Sequence, residues 1–165
     1  MSKKSAAKKP FKQNLRSFAV LAIATGLFFG YFPLASGTVG TLLGVAIVWL
    51  WQGWATWVQI ILCIALCVLG VWASQEASTL LRKPDSSRIV IDEVVGYMIA
   101  MVGIPATPYW IIWGFLLFRF FDIFKIPPAN VFDKRMKNGW GVMLDDVTAG
   151  IYSNMVLHLM MQSAL

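Results

Sequence analysis

Carboxylates stand at the edges of the apolar segments of this chain. Six of its eight acidic residues fall in three short strings: IVIDEVVG (Ile89 to Gly96), FRFFDIFK (Phe118 to Lys125) with the trailing Asp133, and GVMLDDVTAG (Gly141 to Gly150). An ionised acid beside hydrocarbon is costly and asks for a cation. Asp92, Glu93, Asp122, Asp145 and Asp146 each adjoin an apolar segment, and Asp133 lies in the basic loop between two of them. The pattern points to an oxygen-rich metal site.

The chain around these acids is 58% hydrophobic and only 13% charged, which excludes an ordinary soluble domain and predicts an integral membrane protein. Its 165 residues are enough for one domain without a separate soluble module. The expected organisation is a basic tail over residues 1–17 followed by a single membrane domain over 18–165. The net charge of +6 is concentrated early: Lys3, Lys4, Lys8, Lys9, Lys12 and Arg16 all precede the first acid, Glu76. Beside an apolar segment such a tail fits an anionic lipid surface on the cytoplasmic side rather than a nucleic acid. No small-residue cleavage site closes the first apolar segment, so the tail is not expected to be a removed leader. Cys63 and Cys67, four apart on one helix face, and the solitary His158 are expected to be structural.

Apolar segments run over Phe18–Gly30, Thr41–Trp54, Trp57–Ala77, Ile89–Gly103, Tyr109–Phe121 and Asp145–Met160. The basic residues between them, Arg82, Lys83 and Arg88, then Arg119, Lys125, Lys134, Arg135 and Lys137, place two loops on the same side as the amino terminus. Residues 18–77 must then cross an even number of times although they hold three apolar segments. The shortest, Phe18–Gly30, precedes the interrupted YFPLASGTVGT and is read as a re-entrant or interfacial helix. The expected fold is therefore all-α, a small polytopic transmembrane bundle. Trp49, Trp51, Trp54, Trp57, Trp110 and Trp113 fall at the outer face, and all five helix-borne acids gather near the cytoplasmic one.

Carboxylates without cysteine or histidine companions favour Mg²⁺ or Mn²⁺ over zinc, copper or iron. Mg²⁺ commonly binds through one or two carboxylates plus a substrate phosphate, so a phosphorylated substrate follows. Arg119, Asp122 and Lys125 recur at spacings of three, placing an acid between two cations suited to a phosphate. SGTVGT (Ser36 to Thr41) reads as a loop ahead of a helix, a generic anion site, and NGWG (Asn138 to Gly141) as a turn ahead of Asp145 and Asp146. Neighbours on a helix point about 100° apart, so one acid of each pair is expected on the metal and the other beside it. A metal-activated water attacking phosphorus would need a base, for which Glu93 is preferred over Asp92 and Asp146. Structural pairing of the acids with Arg88, Arg119, Lys125 and Lys134 is the alternative.

IVIDEVVG, FRFFDIFKIPP, VFDKR and NGWGVMLDDVTAGIY, in this order and preceded by GTVGT, resemble the phosphatidylglycerophosphatase A family over roughly Gly30 to Tyr152. The resemblance implies a Mg²⁺-dependent phosphatase of the bacterial inner membrane that converts phosphatidylglycerophosphate to phosphatidylglycerol. It implies Asp92, Glu93, Asp122, Asp145 and Asp146 as metal or catalytic candidates, with Asp133 a further one. It also implies Gly37, Thr38, Gly40, Thr41, Arg119 and Lys125 as phosphate contacts. The family commonly has PGT where this chain has Ser36, Gly37 and Thr38, and KP where it has Lys125 and Ile126.

Two other readings compete. A CDP-alcohol phosphotransferase would carry DGxxAR, which is absent. A polytopic cation transporter would spread its acids over several depths, and it leaves Arg119 and Lys125 without a role.

Overall fold

The computed structural model describes residues 11–33, 35–83, 86–127, 129 and 138–163. Among them the chain is all-helical: α1 (Phe11–Ala24), a 3₁₀ turn (Phe29–Tyr31), α2 (Ser36–Leu50), α3 (Thr56–Leu81), α4 (Ile91–Ala100), α5 (Pro108–Phe124) and α6 (Gly139–Ser163). Only α3, with 26 residues, is both long and apolar enough to cross a membrane by length and composition; Leu15–Ala24 and Ser36–Leu50 are shorter apolar helices.

The shortest of the six helices is the centre. Ile91, Val94, Val95, Gly96, Tyr97, Met98 and Ala100 of α4 are all buried, and α2, α3, α5 and α6 pack around them. Close approach is set by glycine. On α2, Cβ atoms added at Gly40 and Gly44 would come within 3.0 Å of the carbonyl oxygens of Val90 and Val94. On α6, one at Gly150 would collide with the carbonyl oxygen of Gly96. Small residues let the backbones meet, so dispersion acts at short range where no polar pairing is on offer. The same contacts give direction: α2, α4 and α6 run one way, α3 and α5 the other.

One end of this bundle carries the charge. No Asp, Glu, Lys or Arg occurs in residues 37–75, 94–118 or 147–163, and the α2–α3 and α4–α5 turns at the opposite end are drawn from these stretches. That charge-free end is held by neutral groups. The Gln59 amide donates to the Trp54 carbonyl (3.3 Å) and accepts from the Gly103 N–H (2.9 Å). Asn154 donates to the carbonyls of Ala100 and Val102, closing the carboxyl end of α4. His158 stands 3.2 Å from the Val102 carbonyl, a structural placement. Trp49, Trp54 and Trp57 are exposed beside the α2–α3 turn, whereas Trp51 is buried.

Three helix starts differ from expectation. SGTVGT is the opening of α2 rather than a loop before it, because the interruption falls earlier, at Pro33 and at Ala35 with φ +50°. Packing of Gly40 and Gly44 on α4 then outweighs their poor helix propensity. Gly139, Trp140 and Gly141 of NGWG are likewise helical: the Gln75 side chain accepts the Gly139 N–H (2.8 Å) and Asn138 accepts that of Gly141 (3.1 Å). Asp145 and Asp146 therefore sit in the second turn of α6, not at its start. Finally, α1 begins at Phe11, inside the stretch expected as tail.

The chain leaves α1 through Gly26, Leu27 and Phe28, all at positive φ, and stays beside the start of α4. The Val90 N–H donates to the Ala24 carbonyl (2.9 Å), and a Cβ on Gly30 would strike the Arg88 carbonyl. Leu27, Phe29, Tyr31 and Phe32 remain exposed, with the Arg88 guanidinium 4.8 Å over the Tyr31 ring.

Candidate metal and phosphate site

Asp92 and Glu93 lie in the first turn of α4, and α6 passes beside them because Gly96 admits it: a Cβ there would come 2.8 Å from the Asp146 carbonyl oxygen. The crossing aims Asp146 at α4. One carboxylate oxygen from each of Asp92, Glu93 and Asp146 lies within 4.8 Å of the others. Asp92 Oδ1, Glu93 Oε2 and Asp146 Oδ2 are also shut away from solvent with no hydrogen-bond partner. Like charges this close repel by roughly 3–4 kcal/mol per pair at an effective dielectric of about 20. A cation reverses the sign of that energy.

The neighbours Asp92 and Glu93 thus both offer an oxygen to one point, contrary to the division expected from their angular separation. The extra methylene of Glu93 lets its carboxylate return toward that point. Asp145 and Asp146 do divide. Asp145 accepts from Lys125 (2.9 Å), while Asp146 joins the trio. Asp122 is ion-paired with Arg119, one turn earlier on α5, and its carboxyl stands within hydrogen-bonding reach of Asp146. Asp122 and Asp145 therefore each hold a cation, Asp122 also bordering Asp146, and Asp92, Glu93 and Asp146 converge. Those three supply only oxygen, the donor set of a hard divalent ion.

The amino end of α2 forms the facing wall. A Cβ on Gly37 would lie 2.8 Å from Glu93 Oε1 and 3.0 Å from Arg119 Nη1, so this turn rests directly on an acid of the trio and on the guanidinium. Ala35 caps the helix without a side-chain hydrogen bond, which leaves its first amides available to an anion. Thr38 belongs to the same turn. Gly40 is turned into the contact with Val90 and Glu93 Cβ. Thr41 is buried, its hydroxyl donating to the Gly37 carbonyl (2.8 Å). Lys125 stands with Asp145 rather than beside Arg119. Asp133 lies outside the described residues.

Sequence reasoning passed over Gly96 and Gly150, which bring α4 and α6 together although each closes one of the acidic strings. The signal was there: a small residue four positions after an acid in both IVIDEVVG and GVMLDDVTAG.

Comparison with known proteins places these residues in context. A family model described as Phosphatidylglycerophosphatase A matches residues 22–161. A Haemophilus influenzae protein named phosphatidylglycerophosphatase A is 39% identical over 142 residues, covering 82% of this chain and 84% of the relative. A Bacteroides thetaiotaomicron protein, provisionally named as a phosphatidylinositol-3-phosphatase, is 37% identical over 149 residues, covering 83% and 90%. An Escherichia coli K12 protein named phosphatidylglycerophosphatase A is 29% identical over 139 residues, covering 82% and 80%. No solved structure matches the chain.

Proposed function

The chain belongs to the phosphatidylglycerophosphatase A family of phosphatases, and we propose that it removes the terminal phosphate of phosphatidylglycerophosphate in a Mg²⁺-dependent hydrolysis, leaving phosphatidylglycerol and inorganic phosphate. The observation that carries this reading is the convergence of one carboxylate oxygen from each of Asp92, Glu93 and Asp146 beside a guanidinium and the amino terminus of α2.

Asp92, Glu93 and Asp146 would hold the Mg²⁺. Bound there, the ion supplies neutralisation of phosphoryl oxygens and acidification of water. Arg119 and the first amides of α2 orient the phosphomonoester, the guanidinium through its planar fork. Glu93 touches both parts of the site, since its carboxylate faces the trio and the Gly37 turn. It is therefore the residue assigned to take a proton from the attacking water as the water oxygen bonds to phosphorus and the bond to the glycerol oxygen breaks, a proton then passing to that leaving oxygen to give the alcohol. Asp122 keeps Arg119 in place, and Lys125 with Asp145 fixes α5 against α6.

The same reading makes the protein a multi-pass bundle of the bacterial inner membrane. Its single domain over residues 18–165 has the site at the cytoplasmic face. α1 is then an interfacial or re-entrant helix, consistent with its return beside Val90, and the basic tail lies on anionic lipid. The exposed apolar surface of α3, α5 and α6 supports this, including Ile64, Val68, Ile112, Leu116 and Leu159. So does the confinement of charge to one end.

The test is release of inorganic phosphate from phosphatidylglycerophosphate in mixed micelles with Mg²⁺. Phosphatidylinositol 3-phosphate is assayed in parallel, because one relative is named for that head group. Activity on the first substrate exceeding that on the second is expected. No release, under conditions where a known phosphatase works, would overturn the reading.

A further inference from the structure

We propose that Arg88 binds the phosphodiester of the substrate, the second phosphate of phosphatidylglycerophosphate, which joins its glycerol head to its diacylglycerol; this rests on the phosphatase reading above. The acid trio, Arg119 and the amino end of α2 account for the terminal phosphate alone. A lipid with two phosphates presents a second anion one glycerol away, and a cation bordering the site can read it.

Arg88 lies on the same seam as the site. Residues 30–40 run beside residues 88–93: Gly30 meets the Arg88 carbonyl, Gly40 meets Val90 and the Cβ of Glu93, and Gly37 meets the Glu93 carboxylate. The pair formed by Arg88 and Tyr31 therefore joins the same two segments that build the Gly37 wall. Arg88 precedes Glu93 by five residues, at most about 18 Å of fully extended chain, and the helix beginning at Ile91 shortens that span.

The side chain is exposed and set for an anion. Its guanidinium stands 4.8 Å over the Tyr31 ring, a contact that restrains the group without using up its N–H donors. Among the described residues no carboxylate pairs with it, whereas Arg16 holds Glu76, Arg119 holds Asp122 and Lys125 holds Asp145. The surroundings match the chemistry of a phosphodiester, which sits where a polar head meets ester-linked chains. Phe28, Phe29 and Phe32 are 37%, 53% and 57% exposed around Tyr31, so the cation borders an apolar, aromatic rim. A planar guanidinium there can take two phosphate oxygens at once.

With Mg²⁺, Arg88→Gln is expected to raise KM for phosphatidylglycerophosphate about tenfold while kcat stays within about twofold of wild type. Product inhibition separates the two phosphate positions. Phosphatidylglycerol keeps the phosphodiester and lacks the terminal phosphate, so it should inhibit Arg88→Gln about tenfold less well than wild type. Inorganic phosphate, with turnover followed as phosphatidylglycerol formed, should inhibit both proteins equally within about twofold. Arg88→Lys keeps the charge without the fork and should recover part of the lost KM. Tyr31→Leu, which releases the guanidinium, should raise KM by about two- to fivefold, and it carries the test if Arg88→Gln fails to fold.

An arginine that only attracted anionic lipid surfaces would behave differently. Its effect would vanish for dihexanoyl phosphatidylglycerophosphate below the critical micelle concentration, with the protein in neutral detergent, and that result would overturn the proposal. So would an unchanged KM, or equal loss of inhibition by phosphatidylglycerol and by inorganic phosphate. A wild-type protein that released no phosphate would instead sink the phosphatase reading, and the proposal with it.

Discussion

Lys125, at positive φ where α5 ends, reaches across to α6 and places its ammonium 2.9 Å from Asp145 Oδ2. This contact pairs the buried Asp145 with a cation, while Asp146, one residue on, meets Asp92 and Glu93. Lys125→Met keeps the aliphatic stem and removes the charge. It is expected to lower stability by about 1–3 kcal/mol, since one partner of a largely buried pair is lost. Thermal unfolding in detergent measures this, with phosphate release falling less than for a trio variant.

Asp92→Asn, Glu93→Gln and Asp146→Asn are each expected to reduce Mg²⁺-dependent phosphate release by at least about 10²-fold. Without metal these variants should unfold at the same temperature as wild type or higher, because each removes a buried carboxylate that repels its neighbours. Loss of activity with a lowered Tm in all three would instead point to an acid network that serves only the fold.

Mg²⁺ itself should stabilise the wild-type protein. A ligand bound only by the folded state adds about 2.7 kcal/mol at a hundred times its Kd. Titration of Mg²⁺ against Tm is therefore expected to give an upward shift that vanishes in Asp146→Asn and is reversed by chelation.

Gly37→Ala tests the wall of the site. Its methyl group would lie 2.8 Å from Glu93 Oε1 and 3.0 Å from Arg119 Nη1, so both side chains must move. Activity is expected to fall roughly 10–100-fold, while stability changes by less than about 1 kcal/mol because alanine favours the helix. Gly53→Ala is the contrasting control. Nothing lies within 4 Å of its added methyl, but φ is +82°, so stability should drop by about 1 kcal/mol and activity should hold.

Gly150→Ala addresses the crossing of α4 and α6. The methyl would strike the Gly96 carbonyl, and the helices must part. A loss of about 1–3 kcal/mol or more is expected. Activity should fall further than the folded yield, because the same displacement carries Asp146 away from α4.

The helical character and the clustering of acids at one end were legible in the sequence because both follow from where charge interrupts apolar runs. Asp92 and Glu93 could be placed in the first turn of a helix from IVIDEVVG alone. Which acids face which was not legible. That depends on the height at which α6 crosses α4, set by Gly96 and Gly150, and on the reach of Lys125 to Asp145, both contacts between segments distant in sequence. The start of α2 was misplaced for a related reason: glycine signals a turn when read locally, but here its missing side chain is a packing surface for α4.

The charge-free end also bears on how such a chain is made. Each hairpin that would have to pass through the hydrocarbon, residues 37–75 and 94–118, carries no Asp, Glu, Lys or Arg. Under the proposed membrane topology it would be threaded without the roughly 2.5–3.5 kcal/mol that a charged residue at the centre of an inserting helix incurs. The reverse insertion would drag Arg88, Arg119 and Lys125 across instead. In that topology the polarity that gathers the acids would also direct the growing chain to enter from one side, so a charge placed in either hairpin would disturb insertion as well as the site.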